Sequence, residues 1–391
     1  MVRKWSDMTS QPLAGIRILD LTRLLPGGVC SMLLADMGAD VIKIEAPDGG
    51  DYARWMPPLV GGRGVYFLAT NRGKRSAIVN LKDARGQSVL HRLVESADVL
   101  IESYRPGVMD RLNAGYEALR KINPRLVYCA LSGWGQDGAY ADRSAHDLNY
   151  VSIAGMTGAM LIPQPMGGQI ADIGGAYAAV AGIVAALFGR ERSGEGAYLD
   201  LSLFESSLPF MLTTWVESIL PGDHVRGGLT GQLACYNVYT AADGDSVALA
   251  ALEPKFWANF CHAVERPDLI DGYTDPARQD ELAAELSALF RQRSAADWAA
   301  LLENADCCFT RVNTPADALD DPHVRARGLL GVTPQGMPWM RSPIRLGDAP
   351  EITAPPGYGE HTRAVLREAG YADAEIDSLI AAGAVGQGEN S

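Results

Sequence analysis

The sequence predicts an α/β protein, with a doubly wound parallel sheet in a large domain and a smaller α+β domain beside it. Three observations carry this. Short segments rich in Val, Ile and Leu alternate with helix-like segments through the first third of the chain, which is the pattern of βα units. At 391 residues the chain is longer than one compact domain usually runs. Beyond residue 222 the texture changes to a hairpin followed by amphipathic helices.

The elements follow in order. GIRILDLT (15–22) reads as a buried strand, PGGVCSMLLADMG as loop and helix, and DVIKIEAP (40–47) as a second strand. RSAIVNLK (75–82) is a third strand, DARGQSVLHRLVESA a helix, DVLIESY (98–104) a fourth strand and LVYCALSGW (126–134) a fifth. Ligands of such sheets lie beyond the C-terminal ends of the strands, which is where LPGG, EAPDGGD, YRPG and SGWGQDG fall. From 145 to about 220 the pattern is helical, with Ala- and Gly-rich stretches suited to close packing. Residues 222–250 read as two strands joined by an ADG turn. Helices follow at FWANFCHAV, QDELAAELSALFRQR and AADWAALLENA, then a Pro- and Gly-rich tail over 333–358 and a last helix at TRAVLREAG. The expected layout is a large domain over 1–200, a linker at 201–224, a small domain over 225–325, and residues 326–391 as a second linker and return to the large domain.

A formal net charge of -13 argues against a nucleic-acid partner, because a phosphate backbone is bound through clustered Lys and Arg. An anionic small molecule stays admissible where basic groups gather. The six cysteines lack CxxC spacing, and the adjacent Cys307 and Cys308 are badly placed to bridge each other. Reduced thiols in a cytoplasmic protein are expected. No apolar run reaches membrane-spanning length, the first residues lack the apolar core of a signal peptide, and GQGENS is not a peroxisomal address. GxGxxG after the first strand, GxxxxGK[ST], HExxH and GxSxG are all missing. Dinucleotide, P-loop, zinc and serine-hydrolase chemistry therefore lack support, and no metal site is expected.

The stretch RSAHDLNY (143–150) puts His146 and Asp147 side by side where loop turns into helix. Either side chain can cap the helix beginning at Leu148. An imidazole there can equally carry a proton near neutral pH. Asp172, in ADIGGAY (171–177), has the same two readings. It is either an N-cap, or a carboxylate at a helix start where Gly174 and Gly175 let a substrate approach the backbone and the helix N-terminus holds developing charge. Glu253, in LEPKFW (252–257), is either a cap ahead of Pro254 or a carboxylate that orients an imidazole. Arg72, Lys74 and Arg75 in NRGKRS, and Arg105 beside Tyr104 in YRPGVMDR, border strands. They are either solvated charges or the anchors of a phosphorylated carrier such as coenzyme A.

Several blocks in succession resemble the family III (CaiB/BaiF-type) CoA-transferases, and within them the α-methylacyl-CoA racemase branch. PLAGIRILDLTRLLPGGVCSMLLADMGADVIKIEAP is similar to the opening of that family. NRGKRS, ESYRPGVMDRL and NPRLVYCALSGWGQDG follow in its order, and GEHTRAVLREAGY is similar to its closing helix. In the transferases, an Asp at the position of Asp172 attacks the acyl-CoA thioester and carries the acyl group and then the CoA thioester. In the racemase branch that Asp works with the His of an HDINY motif, here HDLNY with Leu148 in place of Ile, supported by a Glu in a motif like LEPKFW. This chain carries His146, Asp172 and Glu253, of which a transferase needs only the carboxylate, so the racemase reading is favoured. Asp147, Asn149, Tyr150, Gly174 and Gly175 are its expected supporting residues.

The resemblance implies two-base transfer of an α-proton through an enolate, an acyl-CoA substrate, no permanently bound cofactor, and lipid metabolism as the setting. It further implies a Rossmann-like large domain and two subunits interlocked like rings, with Arg72, Lys74, Arg75, Tyr104 and Arg105 as coenzyme A contacts. Three departures stand out. DIGGAY replaces a longer Gly run, Ala234 and Cys235 in GQLACYNVY stand where racemases read GAPFY, and RGGLTGQ (226–232) is the nearest approach to the Gly-rich lid of the transferases.

Overall fold

The computed structural model describes residues 11–220, 227–333, 336–345 and 352–388. The N-terminal leader reading, the end of the 201–224 linker, the start of the RGGLTGQ segment, part of the Pro- and Gly-rich tail and the last three residues lie outside the described residues.

The chain divides into two compact units. The first comprises residues 1–150, 168–207 and 322–391, and the second residues 151–167 and 208–321. The first unit runs β1 (Arg17–Leu21), α1 (Leu24–Asp36), β2 (Asp40–Glu45), a short hairpin of β3 (Leu59–Val60) and β4 (Arg63–Gly64), then α2 (Val65–Thr70) and β5 (Lys74–Ile78). It continues with α3 (Ala84–Val94), β6 (Val99–Glu102), α4 (Val108–Arg111), α5 (Tyr116–Ile122) and β7 (Val127–Ser132). The first turn of α6 (Asp147–Ile153), α7 (Ile170–Ser193), β8 (Ala197–Ser202) and α8 (Leu203–Ser207) follow.

Six strands form one parallel sheet in the order β5-β2-β1-β6-β7-β8. Strand order reverses between β1 and β6, so the loops after these two strands open the crevice where a doubly wound sheet binds its ligand. The central strands are buried on both faces, as in Val99–Glu102 and Val127–Ser132, which is why they read as unbroken apolar runs. The sequence predicts five strands for this sheet and a helical pattern from 145 to about 220. Ala197–Ser202 is instead the sixth strand, at the sheet edge, pairing in register with Val127–Ser132. The segment AYLDLS alternates exposed and half-buried positions, as an edge strand does.

α7 is long and apolar enough to cross a membrane by length and composition alone. It packs against α1, α8, β7 and β8 through Ala171, Gly175, Ala176, Ala179, Ile183 and Leu187, so part of its apolar surface belongs to the core of this unit. Residues after 322 return to the same unit, where Val385 bridges Val79 and the Ser76 carbonyl accepts the His361 amide.

The second unit holds α9 (Leu212–Ile219) and an antiparallel sheet of β9 (Tyr236–Thr240), β10 (Ser246–Ala250) and β11 (Phe309–Arg311) in the order β11-β10-β9. The β9–β10 hairpin closes through the expected ADG turn, with Gly244 at φ 87°. Helices α10 (Pro254–Ala263), α11 (Gln279–Phe290) and α12 (Ala295–Leu302) pack Trp257, Phe260, Phe290 and Trp298 into its core. Both buried indoles find acceptors, Trp257 at the Leu269 carbonyl (2.9 Å) and Trp298 at the Phe290 carbonyl (2.8 Å), as buried Trp N–H groups require.

Candidate active site

The site assembles in the first unit, from the loops after β1, β6 and β7 and the start of α7. After β7 the chain passes Gly133, where a Cβ would collide with the Tyr150 hydroxyl. Tyr150 is buried, its hydroxyl donates to the Ala145 carbonyl (3.1 Å), and its ring meets Trp134 edge-on. These contacts fix the loop that delivers His146.

At the start of α6 the His146 amide donates to the Asn149 side-chain oxygen (3.0 Å), and the His146 carbonyl accepts the Asn149 amide (2.8 Å). Asn149 thus closes the helix start, and the imidazole is not needed as its cap. Asp147 does something the local sequence did not suggest. Its Oδ1 accepts the amides of Ala171 (2.7 Å) and Asp172 (3.1 Å), so it caps α7 from a different segment of the chain. Asp172, in the first turn of that helix, is relieved of capping. Burial pushes the Asp172 carboxyl up to about 6, the neighbouring Asp147 adds to the rise, and His146 opposes it.

His146, Tyr150 and Asp172 line one cavity of about 400 Å³ with Arg23, Leu24 and Leu203. His146 and Tyr150 also line a neighbouring cavity of about 390 Å³ that holds Arg105 and Arg143, and Arg23 also lines one of about 550 Å³ walled by Ile44, Val79 and Leu81. Tyr104 borders the last two. Glu253 belongs to the second unit, exposed at the N-terminus of α10 without making a capping hydrogen bond.

Two expectations need correction. First, the cations of NRGKRS have carboxylate partners inside the fold. Arg72 pairs with Asp36 (2.6 Å), Lys74 is fully buried against Asp20 (3.3 Å), and Arg75 pairs with Asp40 and Glu368 (2.7 Å each). Burial pulls Lys74 down to about 8 against the attraction of Asp20. Of the expected coenzyme A contacts, Tyr104 and Arg105 line the cavity that His146 and Tyr150 share. Second, Gly175 does not open the backbone to a ligand, because the space a Cβ would occupy is filled by the Leu203 side chain. Three amides in the first turn of α7 already have acceptors. Asp147 takes those of Ala171 and Asp172, and the Gln169 carbonyl takes that of Ile173 (3.1 Å). Gly174 is half-buried within the helix.

Sequence reasoning missed Arg23. Its guanidinium donates to the Tyr52 hydroxyl (2.8 Å) and lies between the rings of Tyr52 (5.0 Å) and Tyr104 (5.3 Å). The available signal was a basic residue directly after the first strand, at the mouth of the expected crevice. Arg143 stood in the RSAHDLNY stretch and was passed over in the same way.

Comparison with known proteins places this architecture. The family model CoA-transferase family III matches residues 13–362. Mouse alpha-methylacyl-CoA racemase is 33% identical, over 94% of this chain and 96% of that protein. Mouse succinyl-CoA:glutarate CoA-transferase is 32% identical, over 99% of this chain and 93% of that protein. The crystal structure of a CaiB/BaiF family protein from Brucella suis superposes with a TM-score of 0.78 at 31% identity, covering 92% of this chain and 100% of that one. The chain is therefore an enzyme of CoA-transferase family III, whose curated members include racemases as well as transferases.

Proposed function

We propose that this enzyme is a 2-methylacyl-CoA racemase in which His146 and Asp172 exchange the α-proton of the thioester. The observation that carries the reading is one cavity presenting an imidazole together with a carboxyl pushed up to about 6. At neutral pH such a carboxyl remains a competent base, and its protonated form is still accessible. One group removes the α-proton, and the C–H electron pair moves into the thioester carbonyl to give an enolate. The conjugate acid on the other side then protonates the same carbon from the opposite face. The base ends protonated and the acid deprotonated, and exchange with water resets both. Glu253 is assigned the support of His146 by family resemblance.

Coenzyme A enters as part of the substrate. Arg23, Arg105 and Arg143 support this, since among the described residues none is paired with a carboxylate. Their guanidinium groups suit phosphates, and the apolar cavity beyond Arg23, with Asn80 and Lys82 on its rim, suits the adenosine end. We also infer an interlocked homodimer working in the cytoplasm. Val184 and Phe188 on α7 are exposed apolar residues that a second copy would cover. The cysteines are unbridged, as a reducing compartment requires.

A 2-methylacyl-CoA incubated with the enzyme in deuterated water is expected to take up deuterium at the α-carbon while the thioester stays intact; no uptake would reject racemisation. The second reading is a transferase with Asp172 as nucleophile, favoured by a transferase relative of nearly equal similarity. It predicts movement of CoA between two acids and an Asp172-linked intermediate that hydroxylamine traps.

A further inference from the structure

The first loop of the sheet, from Thr22 to Leu24, is held by side chains from several separate segments. Three consecutive amides donate to side chains from three places: Thr22 to Asp20 (2.9 Å), Arg23 to Ser103 (3.1 Å) and Leu24 to Asp51 (3.1 Å). The Thr22 carbonyl accepts from the Lys43 ammonium (2.9 Å), and the same ammonium pairs with Asp51 (2.9 Å). Both side chains of that pair have no solvent exposure. Burial alone would drive Lys43 to shed its proton, yet Asp20, Asp51 and Glu45 outweigh it and hold the ammonium charged.

The clamped turn is also unusual in its backbone. Leu24 has φ 64°, a left-handed conformation that a bulky L-residue rarely adopts. Backbone of this kind persists where its surroundings over-determine it. Here the surroundings are a sealed ion pair, an arrangement whose desolvation makes it a poor route to stability alone. Leu24 and Arg23 both wall the cavity that contains His146 and Asp172, at the point where strand order reverses.

We propose that the Lys43–Asp51 pair is a positioning device: it locks Leu24 left-handed, so that Arg23 and Leu24 form a rigid wall seating the acyl-CoA opposite His146 and Asp172. Lys43 and Asp51 touch no substrate and act through the turn. The proposal rests on the reading of this cavity as the reacting site.

The test compares Asp51→Asn, Leu24→Gly and Leu24→Ala with the parent, each in the full chain and well below its melting temperature. Asp51→Asn keeps an acceptor for the Leu24 amide but breaks the ion pair. Leu24→Gly loosens the turn with the pair intact and accepts the left-handed backbone without strain. Leu24→Ala truncates the same wall on a still-restricted backbone. The expected result is a KM for acyl-CoA raised on the order of tenfold in Asp51→Asn and Leu24→Gly, and several-fold less in Leu24→Ala, with the acidic limb of the pH profile unmoved. Unchanged KM in Asp51→Asn with only a lower melting temperature would overturn the proposal, as would equal rises in Leu24→Gly and Leu24→Ala. If Asp51→Asn does not fold, the Gly-to-Ala comparison decides alone. The assay follows whichever reaction the parent carries, so a parent that transfers CoA without racemising would count against the racemase reading and leave these ratios readable.

Discussion

Asp147 caps the helix that carries Asp172: its Oδ1 accepts the amides of Ala171 and Asp172 at 2.7 and 3.1 Å. The two carboxyl groups thereby divide two tasks, capping and proton exchange, that the sequence left open at Asp172. Asp147 faces the helix amides, where negative charge is favoured. Asp172 is left half-buried in the cavity, where desolvation raises its affinity for a proton, the Asp147 charge adds to the rise and His146 opposes it.

The first prediction follows from that division. Asp147→Asn keeps an oxygen for the two amides but removes the charge that helps raise Asp172, so the acidic limb of kcat/KM should move to lower pH. Asp147→Ala should also uncap α7 and cost about 1 kcal/mol in urea unfolding. An unmoved limb in Asp147→Asn would contradict the coupling.

Asp172 itself should reduce stability at neutral pH. Its carboxyl rises from 3.8 to about 6 in the folded chain, so the native state holds this proton more tightly than the unfolded chain does. Stability from this group is therefore greatest below the unfolded value and falls as pH rises through about 6, by roughly 3 kcal/mol at most. Asp172→Asn escapes that loss. It should melt higher than the parent at pH 7.5 and no higher at pH 3.5, measured by calorimetry in matched buffers.

His146→Ala should lower racemisation by on the order of a hundredfold or more, the usual contribution of a positioned general base. The melting temperature should stay near that of the parent, because Asn149 rather than the imidazole closes the start of α6. Retention of most activity would favour the transferase reading.

Arg23→Met should raise the KM for acyl-CoA about tenfold with a smaller change in kcat, and the loss should shrink at high salt. Arg23→Lys should not restore affinity, because the planar group lies between Tyr52 and Tyr104 and donates to Tyr52.

Much of the sheet was legible because its central strands are buried on both faces and read as continuous apolar runs. The edge strand Ala197–Ser202 was not. It follows the long apolar α7 closely, and six alternating residues carry little weight beside that helix. In the site, His146 and Asp172 were legible as residue types at loop-to-helix junctions, and the structure brings them to one cavity. The capping role of Asp147 was not, since local sequence assigns a cap to the helix it begins, whereas Asp147 begins α6 and caps α7. The cations of NRGKRS misled for a related reason. Glu368 lies 293 residues from its partner Arg75, so no local pattern reveals that this charge is already matched. Gly175 likewise faces Leu203, a neighbour only the fold supplies.

The central claim is that His146 and Asp172 serve opposite faces of one carbon atom. The most direct measurement offers each pure enantiomer of a 2-methylacyl-CoA, in deuterated water, to His146→Ala and to Asp172→Asn. The account predicts that each variant washes deuterium into one enantiomer without inverting it, and that the two variants act on opposite enantiomers. Loss of exchange from the same enantiomer in both variants, or full racemisation in either, would contradict it.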